Sequence, residues 1–501
     1  MALRPRVQPR SASIRHLISG VPTASTLGDA EITGITIDSR DVQPGDLFAA
    51  LRGSDFDGHA YIDMAIERGA AAVLVEQVPV GIDHPAIIVE DTRRDLAPIS
   101  AEFYGHPGEE LTIIGLTGTD GKTTTASLVT WILREAGIPT GLIGTLGMQF
   151  GDGTSESLGH QTTPESHLVQ GFLRQMVEVG TKAVVIEATS HGLHMHRLDC
   201  TPFDIAGVTN ITHEHLEYHK TIENYRAAKG ILISRVAENK GVVILNADDA
   251  GAMSLETYAN GVVVRTYACT ASSDFHAKNV VASNIDVRFD LGHQGVRHSA
   301  RVPVLGEFNV YNSLCAIAIG EAVGVPVDHS VASLARVQGI PGRMQQIDSG
   351  QPFSVVVDYA HTPASLDKIL RLLRNLTPNG RVIVVSGSAG ERDLAKRPLQ
   401  GKVMADLADI VVITSEDPRN EDPMQILKDI AAGVENAAAE VHIIEDRREA
   451  LLLAFDSAQP GDTVLLAGKG HETSIIWGFE HRPWDEAAIA QDLLAARWKE
   501  D

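Results

Sequence analysis

Cysteine is scarce: three occur in 501 residues, Cys200, Cys269 and Cys315, with neither paired nor metal-ligand spacing. That excludes a disulfide framework and points to a reducing compartment, where the three read as small buried apolar residues. Acidic side chains outnumber basic ones 65 to 42, a net charge of −23, which excludes a general nucleic-acid or anionic-membrane surface. Any anionic substrate must then be held by local basic clusters. No uninterrupted apolar run approaches the ~18 residues of a membrane span, and there is no internal repeat or low-complexity segment. The segment 1–15 carries Arg4, Arg6, Arg10 and Arg15 without an acid, a superficial likeness to a transit peptide. It lacks the apolar core of a secretory signal, so a frayed basic terminus is the expectation.

What is present is a globular composition, 44% apolar with ordinary glycine and proline, at a length that suggests about three domains. Residues 1–107 hold short apolar runs at 32–37, 47–51 and 71–75, punctuated by turns; they predict a small N-terminal α/β domain. Over 108–338 the segments 112–116, 124–136, 140–143, 167–179 and 182–187 alternate as strand and helix. That alternation predicts a central, doubly wound, mostly parallel sheet of P-loop type. Residues 262–305 change to apolar and polar alternation, as at Ile285, Val287 and Phe289, which predicts antiparallel edge strands. After the Gly-Ile-Pro-Gly turn at 339–342, runs at 353–357, 382–386, 410–414, 441–444 and 463–467 predict a Rossmann-like C-terminal α/β domain over 339–501.

The densest chemistry lies at 115–125, Gly-Leu-Thr-Gly-Thr-Asp-Gly-Lys-Thr-Thr-Thr, directly after the apolar run 111–114. Glycines 115, 118 and 121 let backbone N–H groups turn toward an anion, Lys122 offers a point charge to β/γ-phosphates, and Thr123 can place a hydroxyl on Mg²⁺. Leu116 occupies the position of the first glycine of the strict P-loop pattern, and a purely structural glycine turn is the competing reading. Glu187 ends a predicted strand, where the ligand crevice of a doubly wound sheet opens and a carboxylate can hold Mg²⁺; a bland strand-terminal glutamate is the alternative. His213, His215 and His219 lie in Thr-His-Glu-His-Leu-Glu-Tyr-His. No cysteine is near to complete a zinc set; one histidine beside phosphate and Mg²⁺, or plain polar turn residues, are the readings left open. Lys229 alone reads as a solvated helix residue.

These stretches, with Gly306-Glu-Phe-Asn-Val-Tyr-Asn312, Gly342-Arg-Met, Asp358-Tyr-Ala-His-Thr-Pro and Glu391-Arg-Asp-Leu-Ala-Lys-Arg-Pro, resemble the Mur ligase family from about residue 30 to the end. The resemblance is strongest to members that add the third, diamino acid residue. It implies a cytoplasmic, monomeric ATP- and Mg²⁺-dependent ligase. Such an enzyme phosphorylates the free carboxylate of UDP-N-acetylmuramoyl-L-alanyl-D-glutamate, and the acyl phosphate is then attacked by an amine. Neither nucleic acid nor membrane is implied as a partner. Gly118, Thr119, Asp120, Gly121, Lys122, Thr123 and Thr124 match the phosphate loop. Thr123, Glu187 and His215 match Mg²⁺ and phosphate positions, and Lys229 matches a lysine carbamylated in the family, whose carbamate helps hold a second Mg²⁺. Asn309, Asn312 and Asp358 match nucleotide positions, and Arg343 a phosphate-contacting arginine.

The resemblance likewise assigns Ser39 to the pyrophosphate, Ser54, Asp55 and Phe56 to uracil, and Thr162, Thr163, Thr189 and Arg197 to the muramoyl-dipeptide. The incoming amino acid falls to Arg392, Glu416, Asp417, Pro418, Arg419, Gly468 and Glu472, since arginines grip carboxylates and carboxylates grip ammonium groups. Three departures stand out. Glu416-Asp417 replaces Asp-Asn of diaminopimelate-adding relatives, Met195 replaces a glutamine, and Asp120 replaces an asparagine. Arg419 favours a substrate with a second carboxylate, such as meso-diaminopimelate, whereas the added acid could favour the bare amine of L-lysine or L-ornithine. Rival readings are a D-Ala-D-Ala-adding ligase, a folylpolyglutamate synthase, or an inactive relative serving as an interaction partner. The intact set Lys122, Glu187, His215, Lys229 and Arg392 argues against inactivity.

Overall fold

The computed structural model describes residues 3–53, 57–77, 83–159, 161–212, 214–434 and 438–498. Ser54, Asp55, Phe56 and His213 therefore lie outside the described residues. The chain divides into two compact units, residues 1–280, 288–301 and 308–335, and residues 281–287, 302–307 and 336–501.

In the first unit, the five-stranded sheet runs Ser25–Leu27, Ala86–Ile88, Ala72–Val75, Asp46–Ala49 and Gly34–Thr36 in spatial order. All but the first pairing are parallel. Its central strands are buried on both faces, as their unbroken apolar runs require. Helix Thr92–Tyr104 is capped by Asp91, whose carboxylate accepts from Arg93 N and Arg94 N, and it ends on Gly105 at φ 71°. Its last carbonyls are taken by Arg174 of helix Ser166–Glu178, which donates to Tyr104 O and Gly105 O at 2.8 Å each. Orphan carbonyls at a helix end thus become a tether between two elements.

The basic N-terminus is not frayed. Arg4 grips the buried Asp46 at 2.5 Å and also donates to Asp41 O. Arg6 N and Gln8 N donate to Gln175 and Glu178 of helix Ser166–Glu178 at 2.8 and 2.9 Å. Leu3 packs on the core beneath the larger sheet and Val7 on that of the smaller one. Composition missed this because the acids that neutralise these arginines are remote in sequence.

The larger sheet has eleven strands, with Thr112–Thr117 between Ala183–Glu187 and Ile205–Val208, parallel to both. Val242–Asn246 and Val263–Ala268 continue it in parallel. Phe275–Ala282, Val287–His293 and Val296–Val302 finish the edge. Strand Val263–Ala268 departs from the antiparallel expectation for 262–305, and its neighbour Phe275–Ala282 also pairs with it in parallel. Tyr267 shows why: it is buried, and its hydroxyl donates to Val208 O at 2.9 Å, so this strand belongs to the core.

In the second unit, strands run Gln345–Ile347, Ser354–Asp358, Thr463–Ala467, Val382–Ser386, Ile410–Ile413 and Glu440–Ile443. Only the first pairing is antiparallel. Val356 faces a core shared with helices Pro363–Leu376, Lys396–Leu407 and Pro423–Ala431, while Val355 and Val357 face helices Arg447–Ser457 and Glu486–Ala495. The period of two thus divides helices between the faces. The strand last in sequence, Thr463–Ala467, sits in the middle of the sheet, and at such a reversal the carboxyl ends of the strands open a ligand crevice.

His167, under the arm on helix Ser166–Glu178, is held down to about 3 by burial and secondarily by Arg4. An unfolded chain carries an ordinary histidine near 6.5 and takes up a proton that the native state refuses, so this contribution is complete above that pH and drains away on acidification. We expect His167→Gln to lose less unfolding temperature than the parent between pH 7.5 and 4.5. A difference constant with pH would refute burial of a neutral ring.

Candidate active site

Strand Thr112–Thr117 delivers the glycine loop at the carboxyl edge of the larger sheet, and helix Lys122–Glu135 leaves from Gly121 at φ 86°. Gly118 sits at φ 148°, and a Cβ there would lie 1.9 Å from Thr209 Oγ1, so backbone geometry and space both demand glycine. Thr119 N donates to Asn210 O at 2.8 Å, Asp120 N to Asn210 Oδ1 at 2.9 Å, and Thr209 Oγ1 to Asp120 O at 2.6 Å. Lys122 folds over this turn, its Nζ 2.9 Å from both Gly118 O and Thr119 O.

Thr123 Oγ1 donates to Glu187 Oε2 at 2.9 Å. Glu187 has no exposed surface; its Oε1 accepts from Thr145 N at 2.8 Å and its Oε2 from Thr145 Oγ1 at 3.1 Å. The hydroxyls continue outward: Thr145 to Thr162 at 3.1 Å, and Thr163 to Glu187 O at 2.7 Å and to Thr189 at 2.9 Å. Arg197 donates to Thr163 O at 3.0 Å and pairs with Glu165 at 2.8 Å, and Arg93 of the smaller sheet's helix pairs with the same Glu165 at 3.0 Å. Thr145 escaped sequence reasoning. The available signal was its place just past strand Thr140–Gly144, which pairs with Ala183–Glu187.

Lys229 is not solvated. It is 1% exposed, with Nζ 2.7 Å from Gly118 O and 4.5 Å from the Tyr225 ring centre. Burial first, and Lys122 second, hold its amine well below the usual lysine range. His215 instead lies half-exposed at φ 54°, with Nδ1 3.3 Å from Glu217 and its ring 4.8 Å from that of His191. Burial, then His215, pushes His191 down to about 4. His219 is buried, and its ring packs near those of His191, His194, Tyr218 and Tyr225. Among the described residues no hydrogen bond or ion pair joins His215 to Glu187 or Lys229.

No group of three His, Cys, Asp or Glu residues that could hold a metal occurs among the described residues. The Thr123 hydroxyl and Glu187 carboxylate are hard oxygen donors that suit Mg²⁺ shared with substrate phosphates. An unmodified Lys229 does not suit a cation; a carbamate there would. Asn312 Nδ2 donates to Asn309 Oδ1 at 2.8 Å, and Asn312 Oδ1 lies 2.5 Å from where a Cβ on Gly121 would sit, placing both asparagines on the phosphate loop. Asp248, also missed, accepts from Cys269 N, Thr270 N, Ala271 N and the Tyr311 hydroxyl. It ties the end of strand Val242–Asn246 to the helix that carries the asparagines. Ser39 is buried, with Oγ 3.5 Å from Met64 Sδ, next to the Asp38–Arg40 pair at 2.6 Å.

In the second unit Asp358 is buried and accepts from Met344 N and Ala360 N at 2.8 Å each. Burial raises its pKa against the pull of Arg343, whose guanidinium lies 5.1 Å from the Tyr359 ring centre. Asp417 Oδ1 is engaged by Lys469 Nζ at 2.8 Å and Ile476 N at 3.0 Å, and Lys469 also reaches Glu472 at 2.5 Å. Glu416 is buried beside Gly468, its Oε2 lacks a hydrogen-bond partner among the described residues, and burial raises its pKa. Arg419 holds φ 54°, fixed by its N donating to Ile476 O at 3.0 Å and its O accepting from Gly478 N at 2.7 Å. Its guanidinium, like that of exposed Arg392, makes no ion pair among the described residues. Pro418 O packs against Gly390. Within this unit Arg343 and Asp358 share one edge loop pair, and Glu416, Asp417, Gly468 and Glu472 another.

Three domain descriptions match this chain: the Mur ligase family catalytic domain over 31–104, the Mur ligase middle domain over 116–320, and the Mur ligase glutamate ligase domain over 342–470. A UDP-N-acetylmuramyl-tripeptide synthetase of Roseiflexus sp. (strain RS-1) is 46% identical, over 93% of this chain and 95% of its own. A UDP-N-acetylmuramoyl-L-alanyl-D-glutamate--2,6-diaminopimelate ligase of Streptomyces coelicolor is 41% identical over 97% of both. A solved structure of a ligase of the latter name superposes with a TM-score of 0.64 at 31% identity, over 93% of this chain and 95% of its own.

Because a methyl on Gly118 would collide with Thr209, Gly118→Ala should cut ATP turnover at least ~100-fold, with unfolding temperature lowered far less than for a core truncation. Near-parental turnover would show that the loop does not bind phosphate in this conformation.

Proposed function

The chain belongs to the Mur ligase family of ATP-dependent amide-bond ligases, and on that premise we propose that it adds a diamino acid to UDP-N-acetylmuramoyl-L-alanyl-D-glutamate in peptidoglycan precursor synthesis. The observation that carries the reading is the hydroxyl and carboxylate chain from Thr123 through Glu187 to Thr163 and Thr189. It couples a nucleotide-phosphate loop to the segment assigned to the muramoyl-dipeptide. Such coupling suits a reaction in which the γ-phosphoryl group passes to a carboxylate held beside it.

In this reading Lys122, at the N-terminus of helix Lys122–Glu135, holds the phosphates and stabilises charge on the transferring group. Thr123 and Glu187 would hold Mg²⁺, which neutralises phosphate charge when bound. Lys229, whose amine burial holds well below the usual lysine range, would carry CO₂ as a carbamate that helps hold a second Mg²⁺, and His215 would serve a Mg²⁺ or phosphate position. Asn309, Asn312, Arg343 and Asp358 serve the nucleotide, and Ser39 the UDP moiety. Boundaries at 107/108 and 338/339 would separate the three domains. Cytoplasmic placement and a monomeric state complete the proposal; no helix among the described residues is long and apolar enough to cross a membrane.

For the amine, the two unpaired guanidinium groups of Arg392 and Arg419 favour a substrate with a second carboxylate, hence meso-diaminopimelate over L-lysine or L-ornithine. Asp417 supplies little to the lysine reading because Lys469 and Ile476 N occupy its Oδ1.

Phosphate release with the UDP-dipeptide should be stimulated by meso-diaminopimelate. Silence with every diamino acid would sink the ligase reading. Arg419→Ala should reduce diaminopimelate addition by about 10- to 100-fold, the worth of a charged hydrogen bond, while sparing any L-lysine addition; equal losses would refute its role. For Lys229, intact-mass analysis under bicarbonate should show one added CO₂, lost in Lys229→Ala. Short carboxylic acids should partly restore that variant's activity, and an unmodified, fully active parent would refute the carbamate.

A further inference from the structure

The second unit's amino-acid loops converge on a side chain that the proposed reaction does not use. Arg447 opens helix Arg447–Ser457 and is 3% exposed. Its Nη1 donates to Ser415 O at 3.1 Å and its Nη2 to Ala467 O at 2.9 Å. Those carbonyls belong to the residues immediately before Glu416 and Gly468. The strands leading to them, Ile410–Ile413 and Thr463–Ala467, are not neighbours, since Val382–Ser386 lies between them. One guanidinium therefore bridges the ends of two strands that a third strand separates.

The guanidinium is itself fixed. Glu486, with no exposed surface, accepts from Nη2 at 2.6 Å and Nε at 2.9 Å, and Trp484 Nε1 donates to Glu486 Oε2 at 2.6 Å. A buried ion pair is weak as a source of stability, because desolvation offsets the attraction. Its planar fork is strong as a source of geometry, since it fixes two acceptors at once where an ammonium group would not. Between the two tethered loops lies the unpartnered Glu416 Oε2, 2.9 Å from where a Cβ on Gly468 would sit. Gly468 holds φ 103°, so no side chain fills that space. The separation of the loops thus decides whether an ammonium group is received by that carboxylate.

We propose that Arg447, held by Glu486 and Trp484, is a positioning residue that sets the separation of loops 415–419 and 467–472 and so governs affinity for the incoming amino acid. The inference rests on the amino-acid role proposed above for those loops.

The test compares the full-length parent, Arg447→Lys and Trp484→Phe by phosphate release, varying meso-diaminopimelate, ATP and the UDP-dipeptide in turn, with deuterium exchange alongside. Arg447→Lys should raise KM for the amino acid about tenfold and leave the other two KM values unchanged; Trp484→Phe should do the same to a lesser degree. Exchange should quicken in 415–419 and 467–472 and not in 118–125. A lowered unfolding temperature with no KM change, a uniform rise in all three KM values, or unchanged exchange in the two loops would overturn the proposal. If Arg447→Lys does not fold, Trp484→Phe carries the comparison. If the parent turns over no diamino acid, the substrate reading falls, while the exchange data still decide whether Arg447 holds the loops.

Discussion

A carboxylate with no exposed surface organises the first unit. A buried negative charge must find donors, and Glu187 finds them in Thr123 of the phosphate-loop helix and in Thr145 past the neighbouring strand. Satisfying one charge therefore brings three segments to one point. The same need extends through the hydroxyls of Thr162, Thr163 and Thr189, so one run of hydrogen bonds joins the glycine-loop helix to the 162–163 segment. Lys229, buried against Gly118 O, completes the wall with an amine whose pKa burial lowers.

The second unit solves the opposite problem, since it must keep some charges spent and leave others free. Asp417 and Lys469 neutralise each other out of solvent, and Arg447 and Glu486 do the same one layer below. Among the described residues the buried Glu416 Oε2 has no hydrogen-bond partner, and the guanidinium groups of Arg392 and Arg419 make no ion pair. A chain of net charge −23 would ordinarily cover a free arginine with a nearby acid. An amino-acid site with two carboxylate grips needs them left open.

The strands at 112–117, 183–187, 382–386 and 463–467 were legible within a residue or two, because parallel strands buried on both faces read as continuous apolar runs. The glycine loop between strand and helix was legible for a different reason: Gly118 and Gly121 hold positive φ, which consecutive chain neighbours alone require. Thr145, Asp248 and Arg447 were not. Each acts on a partner from another strand or helix, and isolated threonines, aspartates and arginines look alike on any surface. The arm at residues 3–10 failed for the same reason, since the acids that pair with its arginines lie at 46, 156 and 178.

By itself the sequence determined which backbone could form the phosphate cradle, which segments would be strands and helices, and, through motif order, the ligase family. These are properties of neighbours along the chain, governed by local sterics and periodicity. Only the tertiary structure decided that Lys229 is buried instead of solvated, that Asp417 is engaged by Lys469 while Glu416 Oε2 has no hydrogen-bond partner among the described residues, and that one guanidinium ties the carbonyls of Ser415 and Ala467. Each of those outcomes depends on burial and on partners far away in sequence, and charge in a protein is priced by its surroundings and not by its residue type.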